Sequence, residues 1–157
     1  MRELLALVID DDKNLAQGFA IALRHCGFVV QHISDATEAL STIQTLNPDV
    51  VTLDIHMPNI SGTEILQAIR QTPELAHISV IITTGSARMA QERIINDMAD
   101  AILLKPVDLA KFTSFARRFA ERRRTQEMLQ VSTSAAKDED TSVSHSSSDA
   151  PATTGDQ

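Results

Sequence analysis

Residues 4–27 read LLALVIDDDKNLAQGFAIALRHCG, and this stretch holds the plan of the whole domain in one unit. LLALVI (4–9) is an uninterrupted apolar run, the pattern of a strand in a parallel sheet covered on both faces. Asp10, Asp11 and Asp12 follow. Leu15, Phe19, Ala22, Leu23 and Cys26 then recur at helical spacing until Gly27 offers a stop. A buried strand, an acidic turn and an amphipathic helix make one strand–helix unit.

The unit repeats along the chain. FVVQHI (28–33), VVTL (50–53), VIIT (80–83) and AILL (101–104) read as four further strands. Asp35 with Glu38, and Ser61 with Glu64, have capping-box spacing and predict helices near 36–46 and 62–71. A fourth helix is expected over about 87–98. A fifth starts near Asp108, with Leu109, Phe112, Ala116 and Phe119 on one face. Five alternations imply an α/β fold, a doubly wound five-stranded parallel sheet flanked by five helices. Right-handed crossovers leave few strand orders, among which alternation does not choose. Ligands in such sheets bind beyond the carboxyl ends of the strands.

Composition bounds the function. The 157 residues are 43% hydrophobic and 22% charged, and no apolar run approaches the roughly 18 residues of a membrane span. The N-terminus lacks a signal peptide's layout, and the single Cys26 excludes an intrachain disulfide; both lead to a cytoplasmic expectation. A formal charge of −7 and the lack of Trp and Tyr argue against a nucleic-acid binder. The charge is uneven: residues 117–124 (RRFAERRR) are basic, whereas the segment beyond Val131 is Ser, Thr, Ala and Asp with few large apolar residues. The ordered domain is therefore expected over 1–125, with a disordered Ser/Thr/Asp-rich tail over 126–157.

Chemistry gathers at the strand ends. Asp10, Asp11 and Asp12 follow the first strand, Asp54 the third, Thr83 and Thr84 close the fourth, and Lys105 closes the fifth. Converging carboxylates repel and raise one another's pKa, and a hard divalent cation relieves that; Mg²⁺ is held by one or two carboxylates with waters and phosphate oxygens. A lysine and a hydroxyl facing the same cluster suit a phosphoryl group. Each piece has a plainer reading: an acidic helix N-terminus for the aspartates, a turn acid for Asp54, a loop for Lys105-Pro106. Their joint placement carries the argument.

These residues resemble a known family, the receiver (CheY-like) domains of two-component response regulators. The matching stretches are LVIDDD (7–12), VVTLDIHMPNISG (50–62), VIITTGS (80–86) and ILLKP (102–106), spanning Leu4 to about Arg124. The resemblance implies a flavodoxin-like sheet of order 2-1-3-4-5 and a cis Lys105–Pro106 bond. It implies Asp54 as phosphoacceptor, taking phosphate from a sensor histidine kinase or a histidine phosphotransfer protein. Asp10, Asp11, Asp54 and the His56 backbone carbonyl would hold Mg²⁺, while Thr84 and Lys105 would bind phosphoryl oxygens. The chain would catalyse only its own phosphorylation and autodephosphorylation. It would signal through an unidentified downstream protein, using the face of the fourth helix, fifth strand and fifth helix, with no direct contact to nucleic acid or membrane.

His56 and Ser86 stand where the family's side chains influence the lifetime of the phosphorylated state. His25, His32, His77 and His145 show no metal-ligand spacing and read as surface or core residues. One position departs from the family: Ile102 stands where an aromatic residue usually couples the threonine to the output face. A constitutive interaction module with a weakened switch is therefore the alternative reading. A phosphohydrolase of the haloacid dehalogenase type is disfavoured, because His56, not an acid, lies two residues after Asp54. About 30 residues remain after Arg124, too few and too polar for an output domain, so the expectation is a stand-alone receiver or an N-terminal fragment.

Overall fold

A computed structural model describes residues 2–139. The elements are β1 (Leu4–Ile9), α1 (Lys13–His25), β2 (Phe28–Ile33), α2 (Ala39–Leu46), β3 (Val50–Asp54), α3 (Gly62–Gln71), β4 (Ser79–Thr84), α4 (Ala87–Gln91), α5 (Arg93–Met98), β5 (Ala101–Leu104) and α6 (Leu109–Glu139). The strands form one parallel sheet in the order β2-β1-β3-β4-β5. This is the doubly wound, flavodoxin-like order that the family resemblance implies.

Alternation along each strand sends side chains to opposite faces. Leu7, Ile9, Val51, Leu53, Val80 and Ile82 pack with residues of α2, α3 and α5, including Ile43, Ile65, Leu66, Ile69 and Ile95. Leu4, Ala6, Val8, Val50, Ile81 and Leu103 pack on the other face with Phe19 and Leu23 of α1 and Phe112, Ala116 and Phe119 of α6. The Phe19 and Phe112 rings stack at 4.5 Å between centroids, which fixes the two helices on that face against each other.

Local chemistry explains most element ends. Asp12 caps α1 by accepting from the Asn14 and Leu15 amides, and Gly27 turns the chain away at φ 89°. The Ser61–Glu64 capping box is complete. Asp108 opens α6 by accepting from the Ala110 and Lys111 amides. Two helices differ from expectation. The segment expected to be helical from 36 begins as a 3₁₀ turn, Ala36–Glu38, capped by Asp35. The single helix expected over 87–98 is two, so the described residues hold six α-helices where five helices were expected. Glu92 is extended at the break (ψ 124°), and the Asn96 side-chain amide donates to the Ala90 carbonyl freed there and to the Glu92 carbonyl, which also accepts from the Asn96 backbone amide.

The chain divides into two units, 1–123 and 124–157. In the second, residues 124–139 belong to α6, past the domain end expected at 125. Met128, Leu129 and Val131 are exposed there, and the Ser132 and Thr133 hydroxyls donate to carbonyls one turn back. These residues bury little apolar surface, which is why composition read them as a tail, yet Glu, Arg, Gln, Met and Leu all favour a helix already begun. The remainder of the expected tail, 140–157 with His145, lies outside the described residues. Among the described residues, no helix is long and apolar enough to cross a membrane.

Candidate functional site

Parallel register brings the strand ends to one edge. Asp54 lies opposite Thr83, Ile9 opposite both Ile33 and Leu53, and Thr84 opposite Leu104. The ladder continues one step, with the Ile55 amide donating to the Thr83 carbonyl and the Lys105 amide to that of Thr84. Asp10, Asp54, Thr84 and Lys105, spread over nearly a hundred residues of chain, thereby meet at the carboxyl edge of the sheet.

Asp54 is 3% exposed. Its Oδ1 accepts from the His56 amide at 3.0 Å and its Oδ2 from Lys105 Nζ at 3.0 Å. Lys105 also stands 3.6 Å from Asp10 Oδ2. Burial works against the Lys105 charge, but the Asp54 hydrogen bond and the Asp10 and Asp54 charges outweigh it, so its pKa is raised and the ammonium is retained. Asp10 is fully buried; its Oδ1 accepts from the Asp12 amide at 2.9 Å, and its Oδ2 has no hydrogen-bond partner. Burial, helped by the Asp54 and Asp11 charges, lifts the Asp10 carboxyl above the usual carboxylate range despite Lys105 and the Asp12 amide.

Asp10, Asp11 and Asp54 each present a carboxylate oxygen within 4.8 Å of the others, two of the residues buried and one exposed. An all-oxygen acidic set with an unpartnered buried oxygen fits a hard divalent cation. Asp12, which follows in the sequence, is spent on the α1 cap instead.

Thr84, His56 and Ser86 meet the same edge. Thr84 is fully buried, its Oγ1 accepting from the Ser86 amide at 3.1 Å and standing 3.5 Å from His56 Nδ1. The His56 side chain is exposed. Ser86 caps α4 through the Met89 amide. Thr83 points its hydroxyl into the core, where it is buried and unpartnered. Gly62 is required by close approach: a Cβ there would collide with the Asp54 carbonyl oxygen and the Ile55 Cα. The Lys105–Pro106 bond is cis. Ile102 is half-buried against the core cluster that includes Ile82 and Ile95.

One contact was not legible in the sequence. His32, read as a surface or core residue, is exposed on β2, yet its Nε2 lies 2.9 Å from the Asp10 carbonyl oxygen. Only the register of β1 against β2, which sets Val8 opposite His32, brings the ring there.

The response regulator receiver domain family matches residues 6–117. An uncharacterized response regulatory protein of Vibrio cholerae is 38% identical over 117 residues, 73% of this chain and 48% of its own. The DNA-binding response regulator MtrA of Mycolicibacterium paratuberculosis is 31% identical over 100 residues, 64% of this chain and 44% of its own. The chain thus spans about half the length of the curated relatives it matches. Among solved structures, the signal receiver domain of a DNA-binding response regulator from Colwellia psychrerythraea superposes with a TM-score of 0.70 at 27% identity, over 76% of this chain and 99% of that one. By the family match and by the strand order, the chain belongs to the response regulator receiver domains of two-component systems.

Proposed function

We propose that Asp54 accepts a phosphoryl group from a phosphohistidine on a sensor kinase or phosphotransfer protein, and that the phosphorylated chain signals by protein contact. The observation that supports this best is the Asp54 carboxylate itself. It sits at the sheet's carboxyl edge, with Lys105 Nζ at 3.0 Å and the unpartnered oxygen of Asp10 beside it.

An Asp54 oxygen attacks phosphorus while the phosphorus–nitrogen bond of the donor breaks. The departing imidazole nitrogen keeps that electron pair and takes its proton from solvent. The His56 amide and Lys105 hold Asp54 in place, so positioning and charge do most of the work. Lys105 and the Thr84 hydroxyl bind phosphoryl oxygens. Asp10, Asp11, Asp54 and the His56 backbone carbonyl hold Mg²⁺, which when bound neutralises charge on the phosphoryl oxygens. Water later removes the group, with His56 and Ser86 flanking it, so any catalysis is confined to the chain's own phosphorylation and dephosphorylation. This chemistry belongs in the cytoplasm, where phosphohistidine donors face it.

The readout surface is the face of α4, α5, β5 and α6, where a groove of about 580 Å³ is lined by Asn96, Ile102, Leu104, Lys111 and Phe115 among others. Ile102 favours a second reading there. Its aliphatic chain is already packed against the core and has no ring to rotate, so a constitutive interaction module with a weakened switch is the alternative. Trapping the acyl phosphate with hydroxylamine and locating it by peptide mass spectrometry tests the acceptor. Modification confined to Asp54 supports the first reading, and an unmodified Asp54 supports the second.

A further inference from the structure

The acidic loop carries a support that belongs to β2. Asp10 is gripped by its main chain on both sides: its amide donates to the Ile33 carbonyl at 3.2 Å, and its carbonyl oxygen lies 2.9 Å from His32 Nε2. A carbonyl only accepts, so His32 Nε2 is the donor, which fixes the tautomer or leaves the ring protonated. β2 ends at Ile33, so the ladder stops there, and the imidazole of His32 supplies the donor that a further rung would have given.

The side chain of Asp10 depends on this grip. Its Oδ1 accepts from the Asp12 amide, two residues on, so the loop from Asp10 to Asp12 closes on itself and has few ways to turn once the Asp10 peptide is fixed. What remains is Oδ2, buried, without a hydrogen bond, and 3.6 Å from Lys105 Nζ. We infer that His32 is a positioning residue for the acidic cluster, holding the Asp10 main chain so that its free carboxylate oxygen faces Asp54 and Lys105. The residue lies on the edge strand β2, outside every motif that marks the site.

This inference rests on the Mg²⁺ site of the proposed function, and outer contacts that orient a ligand commonly matter about tenfold or more in metal affinity. The test uses His32→Phe, which keeps a planar ring without the donor, and His32→Gln, whose amide nitrogen restores one. Mg²⁺ affinity is measured by isothermal titration calorimetry on the full chain, beside the thermal midpoint and the Asp12 amide exchange rate, both without metal. The expected result is Mg²⁺ binding weakened about tenfold in His32→Phe and recovered to within about twofold in His32→Gln. The Asp12 amide should also exchange faster in His32→Phe, with the thermal midpoint little changed. Equal affinities and equal Asp12 exchange in all three proteins would overturn the role of His32 while leaving the metal site intact. A wild-type chain that binds no Mg²⁺ would overturn the site and this inference together.

Discussion

At the residue scale, the cluster holds more negative charge than its surroundings support. Asp10 is fully buried, its carboxyl is lifted chiefly by that burial, and one oxygen has no hydrogen bond, only the Lys105 ammonium at 3.6 Å. Such a group weakens the metal-free fold, because a buried polar atom without a hydrogen bond costs free energy. Asp10→Asn should therefore stabilise the metal-free chain, by on the order of 1 kcal/mol, while removing Mg²⁺-dependent phosphorylation. Thermal melts in chelator against an acetyl phosphate assay read the two effects separately. A destabilised variant would mean that the Lys105 contact outweighs the desolvation. His56, whose exposed ring approaches Thr84, gives a second residue-scale expectation. His56→Ala should change the half-life of phosphorylated Asp54, and an unchanged half-life would leave the ring a solvent-facing loop residue.

At the element scale, the start of α3 lies against the strand that carries Asp54. Gly62 donates its amide to the Ile55 carbonyl at 3.1 Å, and the space where a Cβ would sit is filled by Asp54 and Ile55 backbone. Backbone cannot swing aside as a side chain can. Gly62→Ala should cost about 1–3 kcal/mol in denaturant unfolding and slow phosphoryl transfer by displacing Asp54. Ser61→Ala should cost about 1 kcal/mol through the lost cap and leave the transfer rate near wild type. Comparing the two variants separates loss of helix stability from displacement of the acceptor. All five strands were legible to within a residue, because a sheet covered on both faces demands near-continuous apolar runs. The Ser61 cap and the start of α6 were legible for a similar reason, since side-chain capping is local. The break at Glu92 was not, because it is closed by an Asn96 amide reaching back over the turn. The strand order came from family resemblance, and the His32 contact depends on a register no pattern displays.

At the scale of the whole molecule, the edge of the sheet opposite the acidic cluster is held by arginine–aspartate pairs. Asp49 is buried at the start of β3, accepting from Arg2, from Arg123 at 2.8 Å and from the Leu5 amide at 2.9 Å. Asp100 likewise meets Arg70 and the Val80 amide, each at 2.8 Å. The N-terminus, β1, β3, β4 and α6 are thereby tied together at the end of β3 opposite Asp54. Burial pushes the Asp49 carboxyl up, but the Arg2, Leu5 and Arg123 hydrogen bonds together outweigh it and leave the pKa lowered. A lowered folded-state pKa means that this stabilisation is present above the unfolded value of about 3.9 and is lost as pH falls through the folded value. Asp49→Ala should cost about 2–4 kcal/mol at pH 7, less than a fully enclosed pair because Arg2 is half exposed and can regain water. The gap between wild type and variant should narrow in melts taken below pH 4. A gap that stayed constant down to pH 2 would place the effect in packing instead of charge.

The proposed chemistry depends first on Asp54 taking a phosphoryl group. Acetyl phosphate with Mg²⁺, read by intact-protein mass spectrometry, asks this directly and needs no fluorophore in a chain that has no Trp. The expected result is one added phosphoryl group on the wild type, none on Asp54→Asn, and none when Mg²⁺ is chelated. An unmodified wild type under conditions where Mg²⁺ binds would contradict it, as would equal modification of Asp54→Asn.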